Sequence, residues 1–318
     1  MPDVAYITSP LCLLHEADHP HPENPGRLAA IQAAVRAATL YSELEIHDAP
    51  AASLGDINRA HSAEYIALVQ RAANSGKHVM LDPDTYFGPH SWDAALHAAG
   101  AGCLAVDLLM NGTAVRAFCA VRPPGHHALR DGANGFCTFN NVAVAARYAQ
   151  AAHGLERVVI LDFDVHHGNG TEDIFAGDEN VLCISFYEDG LWPRGLGEVP
   201  PLGDNCMNLP MPRRCDPEIY HQLMRDKVMP AIAAHQPDLI IIAAGFDAHR
   251  DDPPGDKLHS DPPGVQLLTD ADFSAMTRTL CEFADSHCHG RVIAMLEGGY
   301  THAVLAQSVV VQLETLAA

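Results

Sequence analysis

Short, unbroken apolar runs recur along the chain and alternate with longer stretches of helical periodicity. AFCAV (117–121), VVILDF (158–163), VLCISF (181–186), LIIIAA (239–244) and VIAML (292–296) predict strands buried on both faces, as in a parallel sheet covered by helices. Between them, residues 25–38 predict a helix capped by Asn24, with Pro25 in its first turn and Leu28, Ile31 and Val35 on one face. Residues 91–110 predict a second helix that stops at Asn111-Gly112, and residues 141–153 a third that stops at Gly154. Residues 270–286 predict a fourth, opened by Thr269 with Asp272 in a capping-box arrangement. Prolines gather at 20–25, 83–89, 193–217 and 253–263. The segments 187–217 and 245–269 are long for plain connectors, and connections of that length usually carry function. No repeat or linker divides the chain. The alternation predicts one α/β domain over residues 1–318, with a mainly parallel sheet flanked by helices on both faces.

Composition narrows the class. Of 318 residues, 48% are apolar and 19% charged, which excludes disordered and collagen-like chains. No continuous apolar run approaches the ~18 residues that span a bilayer. The first residues place no basic group before a short apolar patch, so no signal peptide is expected and the cytoplasm is the expected location. Nineteen Lys and Arg against forty Asp and Glu leave a net charge of -21. That argues against nucleic-acid binding, which needs phosphate neutralisation, and favours cationic ligands. Nine cysteines include no CxxC pair, and most, lying in apolar stretches, are read as buried free thiols. The string His287-Cys288-His289 is read as a surface turn between a helix and a strand.

The chemistry-bearing residues follow the strands. Arg122, His126 and His127 come after the first run above, Asp162 lies at the end of the second with Asp164, His166, His167 and Asn169 after it, Asp247, His249, Asp251 and Asp252 come after the fourth, and Glu297 and Tyr300 after the fifth. In an open parallel sheet the ligand crevice lies beyond the carboxyl ends of the strands, so four distant segments are expected to meet. Asp164 and His166, two apart, can face one side of an extended backbone. With Asp247 they suit a divalent metal, zinc first, with an open position. Such a metal polarises a carbonyl and activates water, His126 and His127 can move protons, and Tyr300 can stabilise an oxyanion. The chain has no GxSxG nucleophile elbow.

The segments HPENPGRL, RPPGHHA, GFCTFNN, DFDVHHGNGT, GFDAHRDDP and LEGGY, in this order, resemble the histone deacetylase and acetylpolyamine amidohydrolase superfamily, over roughly residues 15–300. Asn169 in the fourth is similar to the class II and bacterial branch. The resemblance implies an arginase/deacetylase-like fold and zinc-dependent release of acetate from acetylated amines, either acetyl-lysine in a peptide or protein or an acetylated cationic small molecule such as a polyamine. It implies zinc held by Asp164, His166 and Asp247, His127 as base and then acid, His126 assisted by Asp162, and Asn169 orienting His127. Tyr300 would stabilise the tetrahedral intermediate, Gly135 and Phe136 would line a tunnel, and Arg27 would lie near an internal acetate channel. A structural potassium ion would use Asp162, Ser185 and the carbonyls of Asp164, His166 and Phe186. Two departures bear on substrate. Pro254 stands where one polyamine-specific branch has a glutamate, although Asp251, Asp252, Asp256 and Asp261 remain nearby to attract cations. Trp192 or Leu191 is expected to replace a second tunnel phenylalanine. Two other readings stand beside this one: a binuclear manganese ureohydrolase, whose DAHxD pattern fits residues 247–251, and a non-catalytic binder of acetylated ligands. Oligomeric state is left open, a homo-oligomer included.

Overall fold

The apolar runs become strands because they can lie side by side with both faces covered. The computed structural model describes residues 4–194, 200–252 and 266–318. Its strands are β1 (Val4–Thr8), β2 (Glu45–Asp48), β3 (Val79–Met80), β4 (Tyr86–Phe87), β5 (Arg116–Ala120), β6 (Val158–Asp162), β7 (Val181–Glu188), β8 (Cys206–Met211), β9 (Leu239–Ala244) and β10 (Val292–Leu296). Eight form one sheet in the order β2-β1-β5-β10-β9-β6-β7-β8, and every pairing within it is parallel. β3 and β4 form a separate antiparallel ribbon.

All five expected strands are present, and the sheet gains three more. β1 lies next to the edge. β2 is an edge strand whose alternating exposure leaves Ile46 on the surface, so it lacks the apolar run that betrays a central strand. β8 lies inside the segment 187–217 that reads as a loop. It contains Pro210, which a strand tolerates at the sheet edge, where one side needs no ladder bond.

The helices match their sequence signals closely. Pro25–Ala37 is capped by Asn24, whose side chain accepts from the Gly26 N–H at 2.9 Å. Asn141–His153 ends at Gly154, which takes the left-handed conformation. Asp270–His287 opens with the Thr269 N–H and hydroxyl donating to Asp272 at 2.8 and 2.6 Å. The helices Pro25–Ala37, Asp270–His287 and His302–Ala317 pack together on one face, while Ser91–Met110 and Asn141–His153 pack together on the other. At the end of Asp270–His287 the chain turns at the surface as expected, with His287 and His289 exposed and Cys288 buried. All nine cysteines are buried free thiols.

Ser91–Met110 adds to one expectation without overturning it. It is long and apolar enough to cross a membrane by length and composition, which a search for unbroken apolar runs passes over because Asp93 and His97 interrupt it. Its alanine- and glycine-rich surface is spent on packing against β1, β5, β10 and the helix Asn141–His153.

A buried ionic cluster fixes the chain just beyond β1 and β5. Glu23 binds Arg122 through both carboxylate oxygens, meets Arg27 at 3.1 Å and accepts the Tyr86 hydroxyl at 2.8 Å. Arg122 also donates to the carbonyls of Cys12 and His15 at 2.8 and 3.0 Å. Although burial raises the cost of a charged Glu23, Arg122 outweighs it and holds the carboxyl well below its ordinary range. Arg122 is thus a structural cation, fully buried, rather than the site residue that its place after a strand suggests. Removing one partner of such a cluster strands the others in a dry interior. Glu23→Gln is expected to lower unfolding free energy by about 3–5 kcal/mol, read from the urea midpoint at constant slope.

Candidate active site

Strand register brings the site together. Asp162 pairs with Ala243, Ala243 with Met295 and Met295 with Cys119, so the four central neighbours β6, β9, β10 and β5 end at one level. Each then emits a turn carrying polar residues, as the sequence led us to expect. Asp164 and His166 do not lie on extended backbone, because β6 stops at Asp162 and residues 164–166 bend. They converge through that bend: the His166 N–H donates to Asp164 Oδ1 at 2.8 Å, a side-chain-to-backbone turn typical of aspartate. Backbone amides aim the two carboxylates, Gly298 N–H reaching Asp164 Oδ2 and Val165 N–H reaching Asp247 Oδ1, each at 2.9 Å.

The result is a triad whose ligand atoms all lie within 4.8 Å of one another. His166 Nδ1 is 3.1 Å from Asp164 Oδ1 and 3.2 Å from Asp247 Oδ2. Burial opposes charge on His166, but Asp164 and Asp247 push its pKa up to about 10. Burial and the neighbouring Asp164 raise that of Asp247. Two carboxylates and one imidazole are a divalent-metal donor set, and two further features fit them to an ion. Asp247 Oδ2 is buried without a hydrogen bond. Gly245 and Gly298 clear the space beside the carboxylates: a Cβ on Gly245 would overlap Asp164, and one on Gly298 would overlap both Asp164 and Asp247. Gly298 therefore makes room for the ligands.

His126 and His127 stand over the triad. His126 Nδ1 is 2.8 Å from Asp162 Oδ2, and its Nε2 is 3.7 Å from Asp164. Against the effect of burial, Asp162 and Asp164 hold its pKa well above the ordinary value. His127 Nδ1 is 2.7 Å from Asn169 Oδ1, and burial with His126 and His166 nearby keeps its pKa well below the ordinary value. Adjacent residues of one type are thus driven to opposite protonation states. Glu297 shapes their turn by accepting the N–H groups of Gly125 and His126 at 2.7 and 3.1 Å, and burial pushes its own pKa up to about 7.

A cavity of about 310 Å³ opens onto these groups, lined among others by His126, His127, Gly135, Phe136, Trp192 and Tyr300. Trp192, not Leu191, is the wall residue. Its ring lies edge-on to His127 at 4.8 Å, while Leu191 is buried in the core. Phe136 faces Tyr300 edge-on at 6.2 Å. Gly135 has φ +53°, and a Cβ there would stand 2.5 Å from His127 and 2.6 Å from Trp192. Arg194 pins the wall loop by pairing with the buried Glu172 and donating to His167 at 3.2 Å. His167 is engaged there and with Asn208, away from the triad. Pro254, Asp256 and Asp261 lie outside the described residues.

Sequence reasoning passed over one residue that lines the cavity and gave others a different place from the one the fold gives them. Asp84 lines the cavity. Asp252, expected to draw cations, is instead buried and accepts the Tyr300 N–H at 2.9 Å and that of Thr301. Arg27 donates to the Gly299 carbonyl at 2.6 Å and lies 4.9 Å from the centre of the Tyr300 ring, so the tyrosine is held from both sides. The DAHRD string contributes only Asp247 to the triad. His249 faces Asp270 at 3.6 Å and Asp251 is exposed. Among the described residues no second metal-ligand cluster occurs, which removes the main support for a binuclear site. Asp162 and Ser185, the side chains expected around potassium, are opposite one another on β6 and β7 and border a small void with Gly168.

The glycine requirement gives a direct test. Gly298→Ala is expected to cut metal affinity by about 10–100-fold, the scale of disturbed ligand support, with circular dichroism unchanged. Metal titration followed by atomic absorption checks this.

Comparison with known proteins gives the same picture. The model of the histone deacetylase domain matches residues 21–316. A histone deacetylase-like amidohydrolase of Pseudomonas aeruginosa is 37% identical over 289 residues, covering 89% of this chain and 73% of that protein. The human polyamine deacetylase HDAC10 is 35% identical over 313 residues, covering 92% of this chain and 44% of that protein. The crystal structure of the HDA15 HD domain superposes with a TM-score of 0.87 at 33% identity, covering 100% of this chain and 90% of that one. The chain belongs to the histone deacetylase family.

Proposed function

We propose that this protein is a zinc-dependent deacetylase that hydrolyses an acetylated amine to acetate and the free amine. The observation that carries the reading is the meeting, in one cavity, of a metal-ligand triad, a histidine whose Nδ1 is already engaged, and Tyr300. Zinc held by Asp164, His166 and Asp247 would supply a Lewis acid for the acyl carbonyl and lower the pKa of water. His127 takes the proton of the attacking water and returns it to the leaving amine. His126, charged beside Asp162, stabilises negative charge as it develops. Tyr300 donates its hydroxyl to the carbonyl oxygen. Burial and the nearby Asp247 keep that hydroxyl protonated by raising its pKa well above the ordinary value.

Phe136 and Trp192 offer flat apolar walls to the methylene chain of the amine, and Gly135 keeps the passage free of side chain between them. The chain's net charge of -21 and Asp84 at the cavity favour a substrate whose remaining body is cationic. The similarity to a polyamine deacetylase agrees with that chemistry. Asp162, Ser185 and the carbonyls of Asp164, His166 and Phe186 are the proposed seat of a structural potassium ion. The opposition of Asp162 and Ser185 supports it.

Rates on acetyl-lysine peptides, acetylputrescine and acetylspermidine, measured side by side with zinc-loaded protein, test the proposal. Turnover of none of them would overturn it. Tyr300→Phe is expected to reduce kcat by about 10²–10³-fold and His127→Ala by about 10²–10⁴-fold, both with zinc retained. Asp247→Ala is expected to lose zinc and activity together, checked by metal analysis of the same preparations.

A further inference from the structure

We infer that Asp82 and Asn134 are positioning residues that decide which nitrogen of His127 carries its proton, through a one-way chain of amide hydrogen bonds. The inference rests on His127 being the base. A base needs a lone pair on the nitrogen left for the cavity. With Nδ1 engaged by Asn169, that nitrogen is Nε2, so the proton must sit on Nδ1. An aspartate beside Nδ1 would guarantee this, because a carboxylate only accepts. An asparagine does not: its amide has a donor end and an acceptor end of nearly the same shape. Presented with its NH2 group forward, Asn169 would demand a lone pair on Nδ1 and drive the proton to Nε2, which silences the base. A histidine locked in the wrong tautomer keeps its geometry and loses its function.

The choice is made two residues further out. Asp82 Oδ1 accepts the N–H groups of Asp84 and Thr85 at 3.0 and 2.6 Å, which fixes the carboxylate. Its Oδ2 accepts from Asn134 Nδ2 at 3.2 Å. That contact turns Asn134 Oδ1 toward Asn169, whose Nδ2 donates to it at 3.1 Å. Asn169 is then left with its oxygen toward His127 Nδ1 at 2.7 Å. Reversing either amide alone would set oxygen against oxygen or NH2 against NH2. Reversing both would set the Asn134 oxygen against the Asp82 carboxylate. Asn134 cannot swing away easily, since its backbone exchanges two hydrogen bonds with Cys137 at 3.2 and 2.9 Å. One acceptor-only group, half-buried and 45 residues before His127 in sequence, thereby polarises the whole chain.

Asp82→Asn is the discriminating variant. Its oxygen can still accept from the Asp84 and Thr85 N–H groups, so the turn survives, but an NH2 group then faces Asn134 and favours the reversed chain. D82N is expected to lower kcat by about tenfold or more, the worth of one misdirected hydrogen bond, with KM and zinc content unchanged. In an N169D background the residue beside Nδ1 can only accept, so adding D82N is expected to change kcat by less than about threefold. The ¹⁵N shifts of the His127 ring report the tautomer directly and are expected to exchange Nδ1–H for Nε2–H in D82N alone. Equal losses in both backgrounds, or an unchanged tautomer in D82N, would overturn the inference. A wild-type protein without turnover would instead overturn the deacetylase reading, and the ring shifts would still decide the relay.

Discussion

Two carboxylates of like charge, buried side by side, are costly unless a cation compensates them. Asp164 and Asp247 stand in that relation, both at most 6% exposed, and much of the surrounding structure answers to it. Backbone N–H groups of Gly298 and Val165 hold one oxygen of each. His166 supplies positive charge or a lone pair between them, as required. Two glycines give up side chains so that the carboxylates fit. A core built only for stability would have replaced such a cluster with apolar groups. Keeping it, with one oxygen of Asp247 left unsatisfied, makes sense as a seat for an ion.

The sheet turns this local demand into a precise one. Because β5, β10, β9 and β6 are neighbours in parallel register, the turns that follow them are held side by side by a covered, apolar platform. The loop ends are then tied to each other rather than left to the strands. Glu297, just past β10, fastens the histidine turn past β5. Asp252, beyond β9, fastens Tyr300 beyond β10. Glu23 and Arg122 fasten the segments after β1 and β5. Each cross-link is a carboxylate meeting backbone amides or a guanidinium in a dry place, where such bonds are strong and directional.

Five of the eight sheet strands, four helices and the four clusters at the strand ends were legible in the sequence because each rests on a local pattern. β2 and β8 were not, since edge strands need neither a continuous apolar run nor the absence of proline. The direction of a polar side chain was also beyond a linear reading. Arg122 and Asp252 occupy the expected positions but turn into the structure, one toward Glu23 and the other toward the Tyr300 amide. Asp164 and His166 met as anticipated, but through a bend and not along a strand. The contacts of Asn134 with Asp82 and Asn169 span 52 and 35 residues, and neither Asn134 nor Asp82 is of a type that spacing alone would mark.

Histidine shows why partners, not residue types, identify the site. Twenty are scattered through the chain, and several are as buried as the catalytic candidates. His15 and His61 are driven down to about 3 and about 4, by burial before all else. His167, buried and beside Arg194, falls to about 3. These three serve as neutral hydrogen-bonding groups in the interior. His126 is equally enclosed and His166 half-buried, yet carboxylates within reach overcome the burial penalty and raise both. His127 keeps an amide in place of a carboxylate and stays neutral. Three histidines within one cavity thus differ by what stands next to each ring: charged beside Asp162, available to a metal beside Asp164 and Asp247, and basic but uncharged beside Asn169. That gradation, set over a few ångströms by the choice of acid or amide, lets one pocket hold an ion, steady an anion and still accept a proton.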